Sequence, residues 1–193
     1  MKLKAFLLTA LMAFSFCSQA EIVEYDTVEW NGHLYTLIGS GTVYEIADYA
    51  DTKNGYVVSI NSQEENDFIV DTWSSIGSSP NAYITASLLI GANDAMTEGV
   101  WAWDSGETFS YDNWRGAEPN DGGDYGEDYA IMYLQEDPDL LGQWNDVSDL
   151  YNRISIVEVE MLSLVDVNTP LAFGAFLLAW LFGRRTLTEK QDR

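Results

Sequence analysis

Glu118-Pro119-Asn120-Asp121-Gly122-Gly123-Asp124 is followed almost at once by Glu127-Asp128, so one short loop concentrates carboxylates and an amide with almost nothing apolar between them. Downstream, Trp144-Asn145-Asp146 repeats the pairing of amide and carboxylate, and upstream Asp94 and Glu98 bracket another turn. A packed core gains nothing from such residues. What they can do is hold a hard cation, because calcium takes about 6 to 8 oxygen ligands from carboxylates, Asn amides and backbone carbonyls. Carboxylates crowded in this way raise one another's pKa unless a cation neutralises them. Soft-metal chemistry is excluded: Cys17 and His33 are the only Cys and His, too few for a Cys/His zinc site. Catalysis finds no footing either. His33 lies in Gly32-His33-Leu34-Tyr35-Thr36-Leu37-Ile38 and reads as the solvent-facing polar residue of a strand, with no Ser or Cys site around it.

The charge balance narrows the partners further. In 193 residues, 9 Lys and Arg face 31 Asp and Glu, a net charge of -22. Between Glu21 and Thr169, 29 acidic residues stand against Lys53, Arg115 and Arg153, a net charge of -26. Such a field repels nucleic acid phosphates and anionic headgroups, and leaves cations and neutral ligands as the natural small partners.

Both ends read as addresses. Lys2 and Lys4, an apolar run from Ala5 to Phe14 and Ser18-Gln19-Ala20 make residues 1–20 a secretory signal. After a linker at 161–169, Pro170 opens an apolar run to Gly183 that closes on Arg184-Arg185, giving a hydrophobic anchor or sorting helix at 170–185 and a polar tail at 186–193. The run is shorter than the ~20 residues of a full span. Its order of short motif, hydrophobic helix and Arg cluster resembles the C-terminal PEP-CTERM tags of Gram-negative bacteria, with Val167-Asn168-Thr169-Pro170 in place of Pro-Glu-Pro. That resemblance implies a bacterial exported protein, a sorting protease as one partner, and a membrane met at least transiently. A tail anchor with its arginines on the cytoplasmic side is the alternative. Either way the intervening domain works outside the cytoplasm, at the cell surface, membrane-anchored or secreted after C-terminal processing. It has no cysteine, so its stability must come from a core that a chain of this size can supply.

The elements that must position the acidic loop are readable in outline. Thr42 and Glu45 form a capping box ahead of Val43, Ile46, Ala47 and Ala50, an amphipathic helix that Gly55 ends. Tyr56 to Ile60 is a short β-branched run, and Ser62 with Glu65 opens a second helix through Phe68, Ile69 and Trp73. After Gly77 to Pro80 the pattern changes to short apolar runs, Ser87–Ile90, Val100–Trp103, Tyr129–Leu134 and Arg153–Val159, separated by long Gly- and Asp-rich loops. Helices first and strands later predict an α+β domain over 21–160. Trp101, Trp103, Trp114 and Trp144 are expected in its core.

Glu118-Pro119-Asn120, Gly126-Glu127-Asp128 and Trp144-Asn145-Asp146, in that order, resemble the sugar-binding signature of the C-type lectin domain family. Trp101-Ala102-Trp103-Asp104-Ser105-Gly106, Tyr111-Asp112-Asn113-Trp114 and the Asn61–Phe68 helix start are similar to its core elements, and Ile90-Gly91 stands where the family has Trp-Ile-Gly. The resemblance covers about Asn31 to Glu158. It implies two helices with small antiparallel sheets and a long calcium-binding loop region. It implies a principal calcium site, which also touches sugar, at Glu118, Asn120, Glu127, Asn145 and Asp146. An auxiliary site follows at Asp94, Glu98, Asp121 and Asp128, with Glu127 shared, and the Glu118–Pro119 peptide is expected to be cis. Tyr125 is the candidate for packing against a sugar face. Where the family has two disulfides, this sequence sets Ala50 against Val157 and Tyr129 against Asp149.

The function expected is therefore a calcium-dependent lectin that binds glycans or glycoconjugates by vicinal hydroxyl coordination. The Glu-Pro-Asn order resembles members that choose mannose, glucose, N-acetylglucosamine or fucose. The alternative is a calcium-stabilised adhesion or matrix module without sugar binding, since a fold does not fix its ligand. An enzyme is not expected: two carboxylates ionised on a metal leave no general acid for glycoside hydrolysis.

Overall fold

The computed structural model describes residues 21–75, 87–123, 125–134 and 139–161; the expected signal, hydrophobic C-terminal helix and polar tail lie outside the described residues, as does the linker beyond its first residue. The chain opens with a hairpin, β1 (Glu24–Trp30) and β2 (His33–Gly41). Its turn is Asn31-Gly32, both at positive φ (48° and 88°), which is what a two-residue turn matching the twist of antiparallel strands requires. Helix α1 (Val43–Thr52) starts at the Thr42 capping box as the sequence predicts. The short β3 (Tyr56–Val57) leads to α2 (Gln63–Trp73), and β4 (Ser87–Asn93), β5 (Ala102–Trp103), β6 (Tyr129–Tyr133), β7 (Trp144–Val147) and β8 (Arg153–Glu160) follow.

The α+β expectation holds, and the small sheets join into one path ordered β1-β2-β8-β4-β6-β7, with β3 on β8 and β5 on β4. β8 is its axis. It runs antiparallel to β2, so the N-terminal hairpin and the last strand close the domain together. On its other edge Ile154 and Ser155 pair β4 in parallel, while Val157 and Glu158 pair β3. Both sheet faces are covered, which explains why β4 is apolar without interruption rather than alternating. Leu88, Ile90 and Ala92 join the larger core with Ile69 and Trp73 of α2, whereas Leu89 joins Val43, Ile46 and Ala50 of α1 in the smaller one. Ala50 and Val157 share that smaller core, each 1% exposed, so the first cysteine-free pair is packed as apolar interior.

Two carboxyl groups in the sheet region sit where burial alone would forbid them. Glu65 and Glu158 are 7% and 2% exposed. The Tyr35 hydroxyl and the Asn61 amide donate to Glu65 (2.6 and 2.8 Å), and the Ser59 amide donates to Glu158 (3.1 Å). His33 corrects the expectation of a solvent-facing residue, because its Nδ1 lies 2.6 Å from Glu158 Oε1. Glu158 lies on β8, opposite Tyr35 in the β2 register, a tertiary neighbour that alternation along one strand does not carry. Burial pushes both carboxyls above their ordinary range, for Glu65 against the Asn61 and Tyr35 hydrogen bonds. The second capping box is therefore half formed: Ser62 accepts from the Glu65 amide, but the Glu65 carboxylate is turned to Asn61 and Tyr35.

Gly91 marks a close backbone approach in the sheet, since a Cβ there would run into the Val57 carbonyl oxygen. Gly91→Ala is expected to cost about 1 to 3 kcal/mol by overpacking. Urea denaturation should show an earlier midpoint with an unchanged slope, and an unchanged midpoint would disprove the tight contact.

Candidate functional site

Trp144 builds the site from below. It is 0% exposed, its Nε1 donates to Asn66 Oδ1 of α2 at 3.0 Å, and Trp103, Tyr111 and Trp114 pack edge-on around it at 5.7–5.8 Å between ring centroids. The expectation that the tryptophans are core holds for Trp103 and Trp144 outright, while Trp101 and Trp114 are partly buried against them. The long loop is stitched to β7 on both sides of this ring: the Trp144 amide donates to Asn113 O and the Arg115 amide to Trp144 O, each at 2.8 Å. The residues directly after Trp144 are Asn145 and Asp146, and they inherit its rigidity.

Asp146 is 1% exposed. Its Oδ2 accepts the Asn120 and Asp121 amides at 2.8 and 2.7 Å, which folds the loop over β7. Its Oδ1 is buried with no hydrogen-bond partner in the protein. The Glu118–Pro119 peptide is cis, as expected. The Asn120 amide donates to Glu118 Oε2, Gly122 N donates to Glu127 Oε2 at 2.7 Å, and the Asn145 amide donates to the Asp146 carbonyl. Gly122 has no room for a side chain, since a Cβ would stand 2.5 Å from Asn120 Oδ1 and 3.0 Å from Glu127 Oε2. Glu118, Asn120, Glu127, Asn145 and Asp146 are thus tied into one network.

A second cluster adjoins the first. Ligand atoms of Asp94, Glu98 and Asp128 lie within 4.8 Å of one another. Asp94 is 5% exposed; its Oδ2 accepts the Gly99 amide at 2.8 Å, and its Oδ1 is buried with no hydrogen-bond partner in the protein. Asp121, at φ 47°, stands between the clusters, with Oδ1 accepting the Glu127 amide at 3.0 Å. Tyr125 is 79% exposed on the same loop. Asp124 lies outside the described residues.

The electrostatics follow from this crowding. Partial desolvation and then the Asp146 charge raise the Glu118 pKa, Arg115 opposing them weakly. Desolvation raises Glu127 as well, held back by the Gly122 amide and pushed further by Asp146, Glu118 and Asp121. Glu98 and Asp128 rise for the same first reason, then through Asp94 and Asp121. Each buried Asp offers one oxygen to a backbone amide and leaves the other without a donor, which is costly unless a cation takes it. An oxygen-only set of this composition fits calcium, which accepts irregular geometry, better than magnesium, which demands a small octahedron.

The second cysteine-free pair is bridged by a phenol. The Tyr44 hydroxyl donates to Asp149 Oδ2 at 3.3 Å and also hydrogen-bonds Tyr129.

Among known proteins, the chain matches the Lectin C-type domain over residues 40–156. It is 30% identical over 124 residues to an alpha-N-acetylgalactosamine-specific lectin of Patiria pectinifera, covering 62% of this chain and 69% of the relative. It is 32% identical over 124 residues to the low affinity immunoglobulin epsilon Fc receptor of Mus musculus, covering 61% of this chain and 30% of the receptor. Among solved structures, the carbohydrate-recognition domain of cow CD23, crystallised in the presence of a GlcNAc2Man3 oligosaccharide, superposes with a TM-score of 0.58 at 23% identity, covering 71% of this chain and 95% of that one. CEL-I from Cucumaria echinata gives 0.58 at 24%, covering 70% and 96%.

The raised carboxyls make a pH prediction. A group whose pKa is higher folded than unfolded stabilises the fold below its unfolded value, near 4, and loses that contribution as pH rises through the folded value. Without metal, repulsion among Glu98, Glu118, Glu127 and Asp128 is therefore greatest at neutral pH, where a cation has most to neutralise. The melting temperature in calcium minus that in chelator should be near zero at about pH 4 and grow to its maximum by about pH 7. A difference that shrinks on that rise would rule out carboxylate-held metal.

Proposed function

The chain belongs to the C-type lectin domain family, and from that membership we propose that it is a lectin binding carbohydrate through calcium held by Glu118, Asn120, Glu127, Asn145 and Asp146. One observation carries the reading: Asp146 uses one oxygen to fold the long loop onto β7 and keeps the other buried without a partner, beside the amides and carboxylates of that loop. Asp94, Glu98, Asp121 and Asp128 form the auxiliary site in this proposal, with the second unpartnered oxygen on Asp94.

Bound there, calcium would supply a Lewis-acidic centre for two neighbouring sugar hydroxyls. The protein's own work is to orient those hydroxyls. Carboxylate oxygens of Glu118 and Glu127 accept their protons, and the amides of Asn120 and Asn145 donate to their oxygens. The internal bonds Asn120 Nδ2 to Glu118 and Asn145 Nδ2 to the Asp146 carbonyl use one N–H of each amide and leave the other for sugar. Tyr125, exposed on the loop, supplies an apolar face for the ring. Held on calcium, the Glu118 and Glu127 carboxylates would be ionised and offer no general acid, which favours binding over hydrolysis.

The Glu118–Asn120 order favours the mannose, glucose, N-acetylglucosamine and fucose class. The sea-star relative is named for N-acetylgalactosamine, so this sugar is the informative competitor. Met1–Ala20 and the segment from Pro170 complete the proposal as export signal and C-terminal anchor or sorting tag of a bacterial surface or secreted protein.

The test is glycan-array binding of the chain, presented multivalently because single sites bind weakly, in calcium at about the millimolar level of extracellular modules and again in chelator. Calcium-dependent signal on mannose-type ligands is expected. Glu118→Gln with Asn120→Asp should shift preference towards galactose-type sugars while calcium binding, read by calorimetry, persists. Signal confined to N-acetylgalactosamine would refute the specificity. A folded protein silent on every glycan would leave calcium as structural cement in an adhesion module.

A further inference from the structure

On the face of the sheet under α1, away from the long loop, a cavity of about 190 Å³ opens between α1, β3, β4 and β6. Its deep end is buried side chain, Val57 and Leu89, and its lining includes Tyr44 and Tyr129. Asn93 and Asp104 add the polar edge, with Asn93 Nδ2 donating to Asp104 Oδ1 at 2.7 Å.

Asp104 has no cation. Among the described residues, Lys53 is paired with Glu24 at 2.6 Å, Arg153 bonds the Ser87 hydroxyl, and Arg115 lies where its charge acts on Glu118. The carboxylate stands exposed at the rim, accepts from Asn93 and feels Asp51 rather than any positive charge. A metal ion does not suit the place, since one carboxylate and one amide fall far short of its oxygen shell and the remaining lining is apolar or phenolic. An anion meets Asp104 and the acidic field of the domain. A neutral apolar molecule fills the volume but makes no use of the Asp104 charge at its rim. An ammonium ion on a small apolar body answers every wall: N–H donors for Asp104, hydrocarbon for Val57 and Leu89, and aromatic rings of the kind that attract cations. The volume sets the size, because an apolar cavity of about 150 Å³ admits one benzene ring.

We propose that this cavity is a binding site for a small organic ammonium ion, with its ring or short chain inside and its charged nitrogen on Asp104. The site is independent of the lectin reading and neighbours its calcium clusters only through the chain. Asn93 precedes Asp94, and Tyr129 follows Asp128.

Benzylammonium is the probe, titrated into the isotope-labelled full chain in saturating calcium, so that the acidic clusters are already filled. Saturable amide shifts at Ala47, Leu89, Asn93 and Tyr129 are expected. Benzyl alcohol, the same ring without charge, and methylammonium, the charge without the ring, should each bind at least about tenfold more weakly. Asp104→Asn should weaken benzylammonium by about tenfold and leave benzyl alcohol unchanged. Ala47→Phe, which fills the volume, should abolish both. Shifts confined to Asp94, Glu98 and Asp128, equal affinity for amine and alcohol, or no saturable response would each overturn the proposal.

Discussion

The long loop is held in place by two hydrogen bonds from its own backbone, Asn120 and Asp121 to Asp146 Oδ2, and the rest of the site depends on them. A carboxylate can do this only if it is immobile and dry. Trp144 provides both conditions, through its bond to Asn66 of α2 and the aromatic collar of Trp103, Tyr111 and Trp114. Helix α2 therefore bears on the loop through one indole. Losing the Asn66 contact would leave a buried indole N–H without a partner and would loosen the strand that carries Asn145 and Asp146.

Two disulfides of the family are replaced by weaker and different devices. Ala50 and Val157 bury apolar surface, which substitutes cohesion for a covalent tie. At the other position Tyr129 and Asp149 are joined through the Tyr44 hydroxyl, drawing α1 into a contact between β6 and the loop after β7. A disulfide stabilises by about 2 to 4 kcal/mol, whereas one neutral hydrogen bond contributes about 1 kcal/mol. The difference falls on the loop side of the domain, where carboxylates already repel one another. A metal bound there would have more ordering to do than in a disulfide-braced relative.

Much of this was legible in the sequence because the motifs are local. Thr42 with Glu45 announced α1, and the order of Glu118-Pro119-Asn120, Glu127-Asp128 and Trp144-Asn145-Asp146 announced one loop closing on one strand. β1 was missed although Asn31-Gly32 is a strong hairpin signal, because Glu24, Asp26 and Glu29 obscure the apolar alternation of an edge strand. His33 was misread for a different reason. Its partner Glu158 is 125 positions away and becomes a neighbour only when β2 and β8 pair. Residue type also misled at Glu65, whose carboxylate left the capping role for Tyr35, a choice set by burial.

The junction of β4 and β6 shows how one local geometry makes two unlike surfaces. Asn93 and Tyr129 face each other across the pair, and the next residues outward, Asp94 and Asp128, are joined by the Asp94 amide on Asp128 O at 3.1 Å. Side chains of successive residues on a strand alternate between faces, so the carboxylates enter the metal cluster while Asn93 and Tyr129 line the cavity under α1. Both surfaces inherit the same excess of negative charge and the same shortage of basic side chains. On the loop side that excess is shared by several oxygens and suits a hard cation. Under α1 it is reduced to one carboxylate with apolar and phenolic company, and the cation that suits it must bring its own hydrocarbon.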